Sequence, residues 1–122
     1  MNADTRADLA GPAVGLVDSQ FVELAVEVFG MLADATRVRI VLALAEGELS
    51  VNTLATVVDK SPAAVSQHLA KLRLARIVAT RHEGNKVFYR LENEHASQLV
   101  TDAIHQAEHS LGDPRHHSGR PG

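Results

Sequence analysis

The residues with the most evident chemical potential are histidines, and they are concentrated at the carboxyl end of the chain. Five of the seven histidines lie in the last 28 of the 122 residues, namely His95, His105, His109, His116 and His117. Imidazole is a common ligand of transition metals. The chain has no cysteine, which excludes disulfides, thiolate metal sites and a cysteine nucleophile. Any transition-metal site must therefore use nitrogen and oxygen ligands.

Basic residues form a second group in the middle of the chain. Residues 60–90 contain seven basic residues and one acidic residue, a net charge of +6, whereas the other 91 residues carry a net charge of −9. Such segregation indicates that one face of the protein meets a polyanion while the rest keeps the protein in solution. The basic residues of this segment are Lys60, Lys71, Arg73, Arg76, Arg81, Lys86 and Arg90.

Composition limits the class of protein. Apolar residues make up 45% of the chain, with only three Phe, one Tyr and no Trp, which predicts an aliphatic core. No stretch approaches the roughly 18 apolar residues of a membrane span, and the polar amino terminus does not resemble a secretory signal. We expect a soluble, cytosolic protein with no membrane partner. An enzyme is the least expected class, because the chain has no Gly-rich phosphate loop and no nucleophile–base motif.

Hydrophobic periodicity and capping residues predict the elements that position these groups. We interpret residues 1–17 as a flexible amino-terminal arm, residues 18–112 as one domain, and residues 113–122 as a flexible, His-containing tail. Within the domain, helices are predicted over residues 19–32, 36–45, 51–58 and 62–74, with Ser50 and Ser61 as the caps of the last two. Strands 77–82 and 87–91 follow, and then a last helix that Asn93 caps and that ends at residue 111. This order predicts a mainly α, winged helix-turn-helix fold with a β-hairpin wing.

The first predicted helix is apolar on too many sides for a single surface stripe. Its apolar residues are Phe21, Val22, Leu24, Ala25, Val28, Phe29, Met31 and Leu32. We expect one side to pack in the domain core and the other side against a second subunit. The last helix carries a continuous apolar seam that also suits a subunit contact, so the protein is predicted to be a homodimer with both terminal helices at the interface.

The helix over residues 62–74 has two faces of different chemistry. Val65, Leu69 and Leu72 recur at spacings of four and three and form a buried stripe. The opposite face combines small and hydrogen-bonding residues, which suits a helix in the major groove of double-stranded DNA, where Gln67 can bind adenine through two hydrogen bonds. The predicted DNA contacts are Ala63, Ser66, Gln67, His68, Lys71 and Arg73 on the helix and Arg81, Asn85 and Lys86 on the hairpin.

Two alternatives stay open at this helix. It could be an ordinary amphipathic helix whose polar side is only solvated, but the adjacent turn, hairpin and basic segment favour DNA. His68 lies at the edge of both faces, where it could contact a phosphate or pack beside the turn. Asp59 stands in the turn where glycine is common, and Asp tolerates a positive φ better than most residues.

Three segments of the chain resemble the ArsR/SmtB family of metal-responsive repressors. They are residues 29–37 (FGMLADATR), residues 65–72 (VSQHLAKL) and residues 87–91 (VFYRL), which lead into the last helix. The resemblance extends over about residues 20–110 and combines several motifs in order. It implies a homodimeric winged-helix protein that binds its operator when metal-free and releases it on binding an effector.

The resemblance also implies where an effector binds. Some family members bind metal through cysteines that precede the recognition helix, which corresponds to residues 62–74 here. Such a site is excluded in this chain, because it has no cysteine. A second family site needs Asp-x-His and a later His-x-x-His or His-x-x-Glu, and here Asn93-x-His95 and Gln106-x-x-His109 keep two of the four ligands. The pattern is most similar to that of nickel- and cobalt-sensing members, which implies the ligands His95, Glu108, His109, His116 and His117.

Helix geometry adds a constraint. His95 and His109 are 14 residues apart, about 21 Å along one helix, so they cannot share an ion within one subunit. If the last helices of two subunits cross antiparallel, each His95 approaches the partner's Glu108 and His109, and the tail histidines complete the shell. Five such ligands suit Ni(II) or Co(II) better than four-coordinate zinc.

Other functions remain open from the residues alone. His105 could pair with His109 at the i, i+4 spacing and form a different site. The same fold could sense Zn(II) or a non-metal signal. A metal-buffering protein is a further alternative, and it predicts weak, sequence-independent affinity for DNA.

Overall fold

The computed structural model of the protein describes residues 18–112, in which helices and strands follow one another in the predicted order. The elements are α1 (Ser19–Leu32), α2 (Ala35–Leu44), α3 (Val51–Val58), α4 (Pro62–Leu74), β1 (Val78–Glu83), β2 (Lys86–Leu91) and α5 (His95–Leu111). The mainly α architecture with a β-hairpin is therefore confirmed. The predicted arm (1–17) and tail (113–122) lie outside the described residues. Residues 18–30 and 31–112 form two separate compact units.

Capping side chains determine where three of the helices begin. Asp34, Ser50 and Ser61 each precede a helix, and each side chain accepts a hydrogen bond from the main-chain N–H three residues later, at 3.0–3.2 Å. These bonds satisfy N–H groups that have no partner inside the helix. Pro62 then occupies the first turn of α4, where a missing N–H costs nothing. The caps at Ser50 and Ser61 confirm the predictions, whereas the cap at Asp34 was not predicted.

The turn between α3 and α4 depends on one left-handed residue. Asp59 has φ 57° and ψ 50°, and its main-chain N–H returns to the carbonyls at the end of α3. Asp tolerates this conformation because its short polar side chain can hydrogen-bond locally. The prediction that Asp59 could replace a turn glycine is therefore confirmed.

The core lies in the unit of residues 31–112 and is aliphatic, as composition predicts. Its largest fully buried side chains are Ile40, Val41, Leu54, Val65, Leu69, Leu72 and Val78. Val65, Leu69 and Leu72 form the predicted inner stripe of α4, which fixes the rotation of this helix and leaves its opposite face exposed. The hydrophobic effect thus determines which side chains of α4 face solvent.

The hairpin is held to the rest of this unit by main-chain pairing. β1 and β2 are antiparallel, with Val78 opposite Leu91 and Glu83 opposite Lys86 at the tip. Leu49, in the loop before α3, exchanges two main-chain hydrogen bonds with Tyr89 of β2, at 2.8 and 3.1 Å. This bridge positions the wing beside the helix-turn-helix.

The last helix begins one step later than predicted. Glu94 is its N-cap residue and makes no side-chain capping bond, while Asn93 Oδ1 accepts a hydrogen bond from the main-chain N–H of His95 at 2.8 Å. Asn93 therefore satisfies a free N–H of the first turn, as expected, from one position further upstream. Only Ala96 and Val100 of α5 are buried, and residues 105–111 are exposed.

Helix α1 leaves most of its apolar surface uncovered. Leu32 is the only buried residue of α1, whereas Phe21, Val26 and Phe29 are between 56% and 61% exposed. That one side of this helix packs in the domain core stays a prediction, because residues 18–30 and 31–112 are described as two units. Among residues 18–112, no helix combines the length and the apolar character that crossing a bilayer requires.

Candidate nucleic-acid interface

The exposed face of α4 carries the predicted base- and phosphate-contacting residues together. The side chains of Ala63, Ser66, Gln67, Ala70, Lys71 and Arg73 are all exposed. Lys71 and Arg73 lie in the last turn of α4, where positive charge also interacts favourably with the carbonyl end of the helix. This face is flat near Ala63 and Ala70 because neither side chain extends beyond Cβ. It therefore permits a close approach to a groove of DNA.

His68 takes part in a hydrogen bond inside the protein. Its side chain is half-buried, and Nδ1 accepts a hydrogen bond from Arg37 Nε at 3.0 Å. The same guanidinium donates through Nη1 to the Met31 carbonyl oxygen and lies near the Met31 sulfur, both at 3.2 Å. Of the two roles predicted for His68, packing against the fold is the one that this contact realises. A contact with DNA remains a prediction and can involve only Nε2.

Arg81 on the wing is paired with carboxylates. Its guanidinium lies 2.9 Å from Glu48 and 3.1 Å from Glu83, and it stacks 5.0 Å from the centre of the Phe88 ring. The hydrogen bond from Arg81 holds the pKa of Glu48 below its ordinary value. Hydrogen bonds to Glu48 and Glu83 in turn raise the pKa of Arg81. The predicted DNA contact of Arg81 would therefore require a phosphate to share the cation with Glu48.

The tip of the wing and the start of α3 form an open groove. Asn85 and Lys86 are exposed at the turn of the hairpin, as a contact with the DNA backbone requires. A cavity of about 460 Å³ separates them from α3, and it is lined by Ser50, Val51, Asn52, Asn85, Lys86, Val87 and Phe88. Four of the seven lining residues, Ser50, Asn52, Asn85 and Lys86, carry polar or positively charged side chains that can bond to an anionic backbone.

A second cavity, of about 490 Å³, lies between α4 and β2. It is lined by Ser66, Ala70, Arg73, Leu74 and Tyr89. Tyr89 was not predicted as a functional residue, and only its place in the hairpin motif pointed to it. Leu74 is 86% exposed at the end of α4, so this cleft has an apolar rim. The cleft separates α4 from the wing.

The predicted metal ligands that lie within residues 18–112 are not brought together there. His95, Glu108 and His109 are exposed on α5, and His116 and His117 lie outside the described residues. Because α5 is continuous from His95 to Leu111, the separation of His95 and His109 by about 21 Å holds. Within residues 18–112, no three His, Asp or Glu side chains converge on a possible ion. The exposed imidazoles and carboxylate supply the nitrogen and oxygen donors of such a site, but residues 18–112 of one chain do not assemble it.

Comparison with known proteins places these features in a context. Residues 34–80 match the sequence model of the bacterial regulatory proteins of the arsR family. The HTH-type transcriptional regulator KmtR of Mycobacterium tuberculosis is 59% identical over 108 residues, which cover 88% of this chain and 82% of KmtR. A homologue of the cadmium resistance transcriptional regulatory protein CadC from Staphylococcus aureus is 44% identical, over 67% of this chain and 69% of its own.

The fold has counterparts among solved structures. One is the homodimeric winged helix-turn-helix DNA-binding domain of Mb0332 from Mycobacterium bovis, a possible ArsR-family regulator. It superposes with a TM-score of 0.68 and 27% identity, over 76% of this chain and 86% of that domain. The winged helix-turn-helix prediction is therefore confirmed by an independent structure.

Proposed function

From the premise that the chain belongs to the ArsR/SmtB family of DNA-binding transcriptional repressors, we propose that it is a cytoplasmic, metal-responsive repressor. It binds operator DNA as a metal-free homodimer and releases it on binding Ni(II) or Co(II). Because the family consists of DNA-binding regulators, the prediction that the chain is not an enzyme is confirmed. The observation that carries the proposal is the exposed, hydrogen-bonding face of α4 beside a wing in a segment of net charge +6.

DNA reading follows from the two faces of α4. Gln67 binds adenine in the major groove, Ser66 bonds to a base edge or a phosphate, and Ala63 lets the helix approach the bases. Lys71 and Arg73 neutralise phosphates beside the groove. The wing, with Asn85 and Lys86 at its tip, follows the flanking backbone or minor groove. Two copies of α4 in a dimer enter successive major grooves, which are about 34 Å apart.

Dimer formation is supported by uncovered apolar surface. Phe21, Val22, Leu24, Val26 and Phe29 of α1 are all at least half exposed. An apolar surface of this kind is uncommon on a soluble monomer and is typical of a protein–protein contact. Leu111, at the end of α5, is 77% exposed. A second copy of the chain would cover these side chains, consistent with the homodimeric state of the related Mb0332 domain.

The metal proposal rests on donor chemistry and on resemblance. His95 of one subunit and Glu108 and His109 of the other subunit would hold the ion, with His116 and His117 completing the shell. Such a set suits Ni(II) or Co(II), and Zn(II) is the alternative effector. When bound, the metal supplies a link between subunits that favours one dimer arrangement. The metal releases DNA if only the second dimer arrangement places the two α4 helices at the spacing of successive major grooves. Metal and operator then favour different arrangements, so binding of one weakens binding of the other.

A gel-shift titration tests the proposal on the DNA upstream of the chain's own gene. Ni(II) or Co(II) should weaken binding strongly. The variants His95→Ala and His109→Ala should keep DNA binding and lose the metal response. His105→Ala, an exposed histidine of the same helix, is the matched control and should keep the response. A full response in the His95 and His109 variants would contradict the assigned site, and a response lost only with His105 would favour the alternative pair.

Zinc and nickel or cobalt can be separated by coordination. Tetrahedral Co(II) absorbs visible light far more strongly than five- or six-coordinate Co(II). Weak absorption of the Co(II) complex supports the proposed ligand number. Strong absorption would indicate a four-ligand site and would favour zinc as the effector.

A further inference from the structure

Arg37 connects α4 to residues that are not among the predicted DNA contacts. It lies on α2, and its guanidinium donates to His68 on α4 and to the Met31 carbonyl, at 3.0 and 3.2 Å. Its own main-chain N–H is bonded to the Asp34 cap at 3.0 Å. Arg37 is half-buried, and all of these groups lie in the unit of residues 31–112. The guanidinium is therefore held from several sides rather than moving freely in solvent.

We propose that Arg37 is a positioning residue for DNA recognition, acting through His68. This inference rests on the proposed function, because it takes α4 as the helix that reads DNA. His68 directly follows Gln67, so a fixed His68 ring restrains the backbone from which Gln67 extends. The apolar stripe of α4 determines which face of the helix is buried, but aliphatic contacts are not directional and leave small rotations possible. A directed hydrogen bond at the edge of this stripe adds a geometric constraint that packing lacks.

The bond also determines the chemical form of His68. Arginine has donors only and stays protonated, so His68 Nδ1 must present a lone pair to Arg37. In the neutral ring the proton then resides on Nε2. Arg37 thereby leaves Nε2–H as the ring's donor, which is the form that can bond to a DNA phosphate. In this proposal His68 has both of the roles that the sequence left open: Nδ1 packs against the fold through Arg37, and Nε2 contacts a phosphate.

Substitutions at position 68 can separate this role from simple packing. Position 68 is three residues after Val65 and four before Leu72, so a leucine there would extend the buried stripe while removing the acceptor. An asparagine would place its Oδ1 near the present position of Nδ1 and restore an acceptor. His68→Leu and His68→Asn therefore form a matched pair, with Arg37→Leu as the complementary change.

The experiment uses the full chain and a DNA duplex that the purified protein selects from a randomised pool. Arg37→Leu and His68→Leu should each raise the Kd about fivefold, the scale of one net hydrogen bond. The double variant should bind no more weakly than His68→Leu alone, because His68→Leu already removes the bond to Arg37. His68→Asn should bind DNA more tightly than His68→Leu, and adding Arg37→Leu should remove that gain, because the amide oxygen restores the acceptor for Arg37. Additive losses, or an asparagine variant as weak as the leucine variant, would overturn the proposal.

A spectroscopic measurement tests the contact without DNA. The ¹⁵N chemical shifts of the His68 ring should show an unprotonated Nδ1 that accepts a hydrogen bond in the free protein, and Arg37→Leu should move the Nδ1 shift toward that of an unbonded nitrogen. A ring protonated on Nδ1 would show that the bond to Arg37 is absent, which overturns the inference even if a variant fails to fold. If the unsubstituted protein selects no duplex, the proposed function fails, and the Nδ1 shift still decides whether Arg37 holds His68.

Discussion

The guanidinium of Arg81 lies 2.9 Å from the carboxylate of Glu48, which joins the wing to the loop between α2 and α3. The two residues are 33 positions apart in sequence, and the main-chain bridge between Leu49 and Tyr89 lies next to them. The wing is therefore attached by one electrostatic and one main-chain connection. The main-chain bridge does not depend on Glu48, so the carboxylate can be removed without freeing the wing.

Glu48→Gln should strengthen DNA binding about twofold to fivefold, because only Glu83 then competes with a phosphate for Arg81. The slope of log Kd against log salt concentration should increase by about one, which corresponds to one additional phosphate contact. Fluorescence anisotropy at several salt concentrations measures both. Glu46→Gln removes the same charge from the same loop and serves as the control. Weaker binding by the Glu48 variant would show that the ion pair serves mainly to hold the wing.

Residues on α4 should divide into those that read sequence and those that bind phosphate. Gln67→Ala should cost about 1–3 kcal/mol of discrimination at one base pair, with a smaller effect on non-specific duplex. Lys71→Ala should weaken binding to all sequences and reduce the salt slope by about one. Titrations of selected and scrambled duplexes distinguish the two patterns. A uniform loss for Gln67→Ala would remove it from the base-reading residues.

Asp34 should make stability depend on pH in the acidic range. The main-chain hydrogen bond from Arg37 is the main cause that lowers the pKa of Asp34 below 3.8. A carboxylate with a lowered pKa in the folded state contributes stability above its unfolded pKa and loses it as the pH falls through the folded value. Asp34→Ala should lower the free energy of unfolding by about 1 kcal/mol at pH 7, with the difference shrinking at more acidic pH.

Asp34→Ser is the control for this effect, because serine keeps the cap without a titrating group. Urea denaturation at pH 7 and at steps below pH 4 measures both variants. The serine variant should lie close to the unsubstituted protein at pH 7 and show a weaker acid dependence. An alanine variant with unchanged stability at pH 7 would contradict the role of Asp34 as the cap of α2.

The apolar surface of α1 should determine the oligomeric state. Phe29→Glu should shift the protein toward monomer, because a buried, unpaired carboxylate opposes association. Leu74→Glu introduces the same charge at the most exposed apolar side chain of α4 and should leave the dimer intact. Sedimentation equilibrium of both variants tests this. A Phe29 variant that remains dimeric at micromolar concentration would place the interface elsewhere.

Local patterns were sufficient to predict the fold, and they failed where distant residues meet. The spacing of Val65, Leu69 and Leu72 predicted which face of α4 is buried, and Ser50 and Ser61 predicted where α3 and α4 begin. Both signals are contained in a few adjacent residues. Glu48 and Arg81 carry no such signal. Their pairing depends on how the hairpin packs, which single-sequence periodicity does not describe.

The candidate site divides in the same way. The exposed residues of α4, which are the proposed DNA contacts, could be predicted because burial of one face of the helix leaves the opposite face exposed. The bond between Arg37 and His68 could not, since 31 positions separate them and either side chain alone suits a solvated surface. In the proposed metal site the ligands come from two subunits, and neither the sequence nor a single chain contains the geometry that would bring His95 to His109 of the other subunit.

Mixing two inactive variants tests the central claim most directly. His95→Ala and His109→Ala should each fail to bind Ni(II) or Co(II) at the assigned site. A mixed dimer of the two, however, retains one site made of His95 from one subunit and His109 from the other. Statistical exchange makes half of the dimers mixed, so about a quarter of the original metal stoichiometry should return. A mixture that binds no more metal than the separate variants would contradict a site shared between subunits.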